Sequence, residues 1–351
     1  MTTGDEEAAQ DQYRMRRRPS IKHVAALAGV SISTVSHVFS RARPISKETS
    51  ERVREAAETL GYIPNPSAAH LRGAGLGLIG LILRPRNAVH GTLGGTETFI
   101  RFSGAAAAAA LATGRGLLIL PDPTTSRRRF DMDGCIVVGP YEDDEVLRWL
   151  DSRGVPYVCA DIDPKRPDDP WAVHVGYEPP MRKLLEAAGR NSGASATLIV
   201  GQEANHWTQM SIATATAWAQ DEGRGLEVVR LFEGEGQSGA KHLAREVLNR
   251  HPAEHIIVGA SSRFARGALD AALELGRRVP DEVRIACFTD STLAREAPVT
   301  ITALDLRMEE QARLSVDMII ERVAGKDAPS APASITPTAR LRESTHASPH
   351  A

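Results

Sequence analysis

Residues 21 to 40 read IKHVAALAGVSISTVSHVFS. Val24, Ala25 and Ala28 put one apolar face on a first short helix. Gly29 follows where the chain must turn, and glycine enters the left-handed region without steric cost. Ser31 stands where a side-chain oxygen can cap the N–H groups that open a second helix. Val35, Val38 and Phe39 give that helix its buried side. Ala25, Gly29 and Val35 together have the spacing of a helix-turn-helix: a small residue at the crossing, a turn glycine and an apolar wedge. The positions left over on the second helix are Ile32, Ser33, Thr34, Ser36, His37 and Ser40, and these would face a major groove.

A third helix is predicted downstream. Ser46 caps KETSERVREAAETL, in which Val53, Ala56, Ala57 and Leu60 form one stripe, Gly61 closes the helix and Pro64 prevents its continuation. Next, NPSAAHLRG (65–73) has an N-cap asparagine and Pro66 at the first helical position, with room for about two turns. So short a helix is marginal in water and needs something else to hold it. Leu71 on it has no core of its own and could wedge between base steps in a minor groove. Charge agrees with a nucleic-acid module at this end. The whole chain of 351 residues is nearly neutral at −2, but residues 13–73 carry 11 basic against 4 acidic side chains, and residues 74–351 carry 31 against 36. A basic head sits on a mildly acidic body.

Beyond Leu78 the pattern changes. LIGLIL (78–83), GLLIL (116–120), GCIVVG (134–139), VPYVCAD (155–161), ATLIVG (196–201), HIIVGA (255–260) and VRIACF (283–288) read as strands between helical stretches, which predicts an α/β body with parallel sheets in two lobes. The alanine run at 105–112 reads as helix. GAGLGLIG (73–80) contains a formal G-x-G-x-x-G, but that fingerprint must follow a strand and open a helix. Here a short helix precedes it and a strand follows, so no dinucleotide, and no other cofactor, is expected. The three cysteines show no metal-ligand spacing and read as buried thiols in a reducing compartment. No nucleophile–base constellation or P-loop points to an enzyme. With no secretory h-region and no run of about 20 apolar residues, a cytoplasmic protein without a membrane partner is expected.

The segments at 21–40 and 45–73 and the strand LIGLIL resemble the lactose/galactose repressor family of bacterial transcription regulators. GALDAALELGRRVPDEVRIACFTDS (267–291) and AREAPVTITAL (294–304) extend the likeness over roughly residues 20–345. The resemblance implies an all-α helix-turn-helix headpiece with a hinge helix, followed by a two-lobed α/β domain like the periplasmic binding proteins, with parallel sheets. It implies a homodimeric repressor on a pseudo-palindromic operator in double-stranded DNA, with affinity modulated by a small-molecule effector between the lobes. By position, Ile32, Ser33, Thr34 and His37 correspond to base-reading and backbone-contacting residues, and Ser31, Ser36, Thr49, Tyr62 and Asn65 to phosphate-side contacts. Leu71 corresponds to the minor-groove wedge, and Ala68 joins the DNA-facing set. Ser40 departs from the family's usual asparagine.

The expected organisation is a disordered arm (1–18), the DNA-binding head (19–64), hinge helix and linker (65–77), the effector and dimerisation domain (78–345) and a tail (346–351). Within the body, one lobe is expected from 78–161 with 303–325 and the other from 162–300 with 331–345. Polar groups at strand ends, Arg84, Asp161, Ser262 and Asp290, with Trp207 as a stacking wall, are the candidate effector contacts, whereas Trp218 reads as core. Sugar-responsive relatives hold their ligand with acidic and amide residues where this chain has Ser261-Ser262 and Thr289. The 207–218 region also lacks the family's arginine, so a typical sugar is not the expected effector. The link PDPTTSRRRFDMD (121–133) is short for a crossover helix; it reads as a loop or single turn that leaves its lobe open on one face. A periplasmic-type solute-binding protein would share the body but has no use for residues 20–73, and a ligand-independent repressor would use the body only as a scaffold.

Overall fold

The computed structural model describes residues 19–40, 43–62, 75–84, 97–126, 130–190 and 192–346. The arm, the tail and the hinge positions Asn65, Ala68 and Leu71 lie outside the described residues. The chain divides into two compact units, Met1–Leu76 and Gly77–Ala351.

The first unit is built from α1 (Ile21–Ala28), α2 (Ile32–Ser40) and α3 (Lys47–Leu60). Gly29 and Gly61 both sit at positive φ, 65° and 62°, and each closes its helix with a backbone N–H returned to the preceding turn. Val24, Val35 and Val53, one from each helix, are fully buried and form the centre of a core that Ala25, Ala28, Val38, Ala56 and Ala57 complete. The apolar stripes read from the sequence therefore converge on one point. So small a core fixes three helices because each contributes a β-branched residue with little rotamer freedom to lose.

The second unit holds two six-stranded sheets. The first has the order β11-β5-β4-β3-β1-β2, with β1 Leu78–Leu83, β2 Gly116–Ile119, β3 Gly134–Val138, β4 Tyr157–Ala160, β5 Ala172–Val175 and β11 Ala333–Ile335. The second has the order β12-β10-β9-β8-β6-β7, with β6 Ser195–Val200, β7 Leu226–Arg230, β8 His255–Gly259, β9 Val283–Cys287, β10 Thr302–Asp305 and β12 Thr338–Arg340. Pairing is parallel except where β12 runs against β10. Helices α4 (Glu97–Ala112) and α11 (Met308–Val323) cover one face of the first sheet, and α5 (Glu145–Asp151) packs on the other. In the second lobe α6 (Glu178–Gly189) and α7 (His206–Asp221) oppose α8 (Gly236–Arg250) and α9 (Ser262–Glu274). The short α10 (Thr292–Arg295) follows β9. Trp218 is wholly buried between α7 and α6.

The lobe boundaries differ from those expected. β5, placed by sequence in the second lobe, pairs with β4 and belongs to the first; β10, placed in the first, pairs with β9 in the second; β11 pairs with β5 in the first. The chain thus passes between lobes at 176–177, 306–307 and 336–337, and two of these passages touch, Gly176 N–H donating to Ile335 C=O at 2.9 Å. The strands concerned have three or four residues, too short to carry a period of their own.

The link after β2 has one turn at 123–125 and no helix among its described residues. Met132 replaces part of the missing cover: a Cβ added to Gly80 would lie 2.3 Å from its sulfur. Ile119 (61%) and Phe130 (42%) remain exposed on that side. The glycines before β1 lead straight into a strand, with the Asp133 carboxylate accepting the N–H groups of Gly77 (2.6 Å) and Leu78 (3.2 Å), the reverse of a dinucleotide turn.

Candidate functional sites: a helix-turn-helix face and an interlobe cleft

In the head, Ser31 Oγ accepts Thr34 N–H at 3.1 Å and shares hydrogen bonds with Ser33 Oγ and Thr34 Oγ1 at 2.7 and 2.8 Å. This cap fixes the first turn of α2 and orients three hydroxyls together. Ile32 is 44% exposed, Ser31 and Ser33 are exposed, and Thr34, Ser36 and His37 are half-buried along the same helix. Thr49 is half-buried at the start of α3, where Ser46 Oγ donates to its hydroxyl at 2.9 Å and accepts its N–H at 3.3 Å. Tyr62 packs on Phe39 with ring centroids 6.0 Å apart. The arrangement offers an α2 surface of small hydroxyls, one imidazole and one apolar side chain, without acidic groups that would repel phosphate.

In the body, the ends of β3, β4, β5, β6, β8, β9 and β10 meet a cavity of about 150 Å³ between the two sheets. This is the carboxyl edge at which open parallel sheets bind ligands, because their loops and helix N-termini converge there. Asp161, Trp207 and Ser262 line it. Asp161, at φ 76°, leaves β4 in the left-handed region. Its carboxylate accepts His206 Nδ1–H (2.7 Å) and Ile162 N–H (2.8 Å) on Oδ1, and Tyr177 O–H (2.8 Å) on Oδ2. Burial first, then the Asp161 charge, pushes the Tyr177 phenol well above its usual range, so it remains a donor. His206 belongs to the second lobe, so this bond spans the cleft. Two more spans lie nearby: Glu142 N–H to Ala204 C=O and Tyr141 O–H to Glu203 Oε1, both 2.8 Å. Trp207 stands edge-on to Tyr177 and Phe288, at 4.9 and 6.3 Å. Ser262 N–H donates to Thr289 Oγ1 at 2.8 Å.

Arg84 and Asp290 do not line the cavity, and the expectation for both is corrected. Arg84 is 1% exposed; its Nε donates to Asp144 Oδ2 at 2.7 Å, its Nη1 pairs with Asp122, and its plane lies 4.5 Å over Tyr141. Asp290 accepts both terminal nitrogens of Arg342, at 3.0 and 2.8 Å. Both are strand-end charges, as predicted, but each is consumed by partners distant in sequence. Conversely, Glu233 and Arg263 line the cavity without having been singled out. Burial pulls the Arg263 guanidinium down and the Glu233 charge opposes that. A usable signal existed: LFEG places an acid directly after a strand of the parallel sheet, and SSRF opens a helix after another.

Among the described residues no cluster of His, Cys, Asp and Glu could hold a metal ion, and no helix is long and apolar enough to cross a membrane. The three cysteines are buried, and burial pushes the Cys287 thiol up to about 12.

Two family models match: bacterial regulatory proteins of the lacI family over residues 20–65, and the periplasmic binding protein-like domain over 187–345. The HTH-type transcriptional regulator CelR of Thermobifida fusca is 27% identical over 330 residues, covering 89% of this chain and 94% of that protein. The maltose regulon regulatory protein MalI of Escherichia coli (strain K12) is 25% identical, covering 89% and 94%. Among solved structures, the lac repressor dimer bound to operator and the anti-inducer ONPF superposes with a TM-score of 0.76 at 19% identity, over 94% of this chain and 100% of that one. A CelR–cellobiose complex gives 0.64 at 20% identity, over 93% and 100%. With a helix-turn-helix module ahead of a two-lobed body, and both parts matched, the chain joins a lacI-family helix-turn-helix domain to a periplasmic binding protein-like domain.

Proposed function

We propose that the chain is a transcriptional regulator, acting as a repressor, that binds a pseudo-palindromic operator as a homodimer and has its DNA affinity set by a small molecule in the cleft. The observation that carries the reading is the pairing of two devices in one chain. One is a capped, outward-facing α2 on a self-contained three-helix core. The other is a cavity bounded by strand ends of both lobes. Ile32, Ser33, Thr34 and His37 would meet base edges, where the hydroxyls accept or donate and Ile32 contacts a thymine methyl. Ser31, Ser36, Thr49 and Tyr62 would lie along phosphates, joined by Asn65 and Ala68, and Leu71 would enter the minor groove at the operator centre. The named relatives are regulators, one solved neighbour is bound to operator and another to cellobiose, which supports a binding rather than a catalytic role. A cytoplasmic location follows from such a role.

An effector acts only through different affinities for two lobe arrangements. The bonds from Asp161, Tyr141 and Glu142 of one lobe to His206, Glu203 and Ala204 of the other are among the groups such a ligand would bias. The test is selection of a binding site from random duplex DNA, followed by anisotropy titrations with the wild type and Leu71→Ala. We expect Leu71→Ala to weaken the selected site sharply while sparing the salt-dependent, non-specific component; unchanged affinity for the selected site removes the wedge from the scheme.

A further inference from the structure

Glu233 gives the cleft a polar atom that the described residues leave unmet. Glu233 sits in the turn between β7 and α8 and is 8% exposed. Its Oε1 accepts the N–H groups of Gln202 (2.8 Å) and Glu203 (3.1 Å). A Cβ at Gly201 would lie 2.1 Å from that oxygen, so only glycine lets the carboxylate settle against the backbone there. With Oε1 anchored, the side chain cannot swing away. Oε2 is buried and has no hydrogen-bond partner among the described residues, on a side chain that lines the cavity. A fixed, buried acceptor without a donor is destabilising in itself, and a bound donor would relieve it.

The rest of the lining selects the donor. Among the described residues of the lining, Asp161, Glu203 and Glu233 face one guanidinium, Arg263, a net negative set. Both oxygens of Asp161 are engaged by His206, Ile162 and Tyr177, and Glu203 accepts the Tyr141 hydroxyl. Phe99, Tyr177 and Trp207 contribute aromatic surface, and ring faces attract cations. The volume of about 150 Å³ corresponds to a body of about one ring.

We propose that the cleft takes a compact organic cation, a single ring or short alkyl body whose ammonium group donates to Glu233 Oε2 while the body rests against Trp207 and Tyr177. The assignment rests on the cleft being the effector site and narrows that site to a chemical class.

Calorimetric titration of the full chain with benzylammonium, benzyl alcohol, benzoate and glucose tests it. The first two share shape and differ in charge. Benzylammonium should bind at least about tenfold more tightly than benzyl alcohol, and benzoate and glucose more weakly than either. Glu233→Gln keeps an oxygen for the two backbone donors, and should cost the ammonium about 10–100-fold while leaving benzyl alcohol unaffected. Tighter binding of benzoate or glucose, no binding of any probe at millimolar concentration, or a Glu233→Gln variant that holds benzylammonium like the wild type overturns the proposal. Should the variant melt prematurely, the wild-type ranking of ammonium over alcohol decides. Anisotropy on the selected DNA site separates the two readings. Benzylammonium that binds by this ranking without changing DNA affinity upholds the cation class and removes the effector role. A change in DNA affinity with glucose or benzoate alone upholds the effector role and removes the cation class.

Discussion

Arg84→Met is the substitution that separates a ligand contact from a structural one. The guanidinium is 1% exposed; its Nε–H is 2.7 Å from Asp144 Oδ2, its Nη1 pairs with Asp122, and Nη2 lies 3.9 Å from Glu145. Methionine preserves the length and the packing over Tyr141 but removes the Arg84 charge from two acids, Asp144 at 0% and Asp122 at 8% side-chain exposure. Removing one member of a buried ion pair costs about 3–5 kcal/mol. Residual partners push the value to the low end. Asp144 still accepts the N–H groups of Tyr141 (2.8 Å) and Val146 (2.7 Å), and Asp122 still accepts that of Thr124 (2.8 Å). The expected loss is therefore about 3 kcal/mol. In a unit of this size each kilocalorie moves the midpoint by roughly 2–4 °C, so the body's transition should fall by roughly 6–12 °C in a calorimetric scan of the full chain. Ligand affinity measured well below that midpoint should stay the same. A midpoint shift under about 2 °C, combined with lost ligand binding, would refute the reasoning and return Arg84 to the cleft.

Three further outcomes are expected. Ser31→Ala removes the cap of α2 and should cost the head about 1 kcal/mol, seen as faster hydrogen exchange at Thr34 N–H and its neighbours. Gly259→Ala would put a Cβ 2.4 Å from Ala265 N and 2.9 Å from its Cα; because these are backbone atoms, α9 must shift, at about 1–3 kcal/mol in urea denaturation. His255 is held between Ser195 Oγ (3.1 Å) and Thr197 Oγ1 (2.9 Å), and burial lowers its pKa to about 4. The folded chain keeps it neutral while the unfolded chain protonates it near 6.5, so its stabilisation is complete above that pH and is lost as pH falls towards 4. The loss is at most about 3 kcal/mol. His255→Gln should flatten that part of the stability–pH curve, and a curve identical to the wild type would place the effect elsewhere.

The head was legible because each of its features is local. Ser31, Gly29, Ser46 and Gly61 act within four residues of where they stand, and the three valines that meet at its centre advertise themselves by helical period. The lobes were legible only as a count of strands. β5, β10 and β11 exchange sheets in three- and four-residue pieces whose pairing partners lie elsewhere in the chain, and no periodicity encodes that. The same limit governs the cleft. Arg84 and Asp290 have the right chemistry at strand ends, yet Asp144 and Arg342, 60 and 52 residues away, take them out of reach. Glu233 was missed for the opposite reason: its importance comes from Gly201, which lets its carboxylate dock on a neighbouring loop.

The three crossings between lobes also set an order of assembly. The head is complete once Tyr62 has been made, whereas β11 and β12, at 333–335 and 338–340, are the last strands of the two sheets and lie at an edge of each. On the ribosome, a DNA-reading module would therefore be finished long before either half of its sensor could close. Loss of residues 333–340 would strip the edge strand from both sheets at once, so a chain cut there would keep the part that reads DNA while its sensor lost an edge of each lobe.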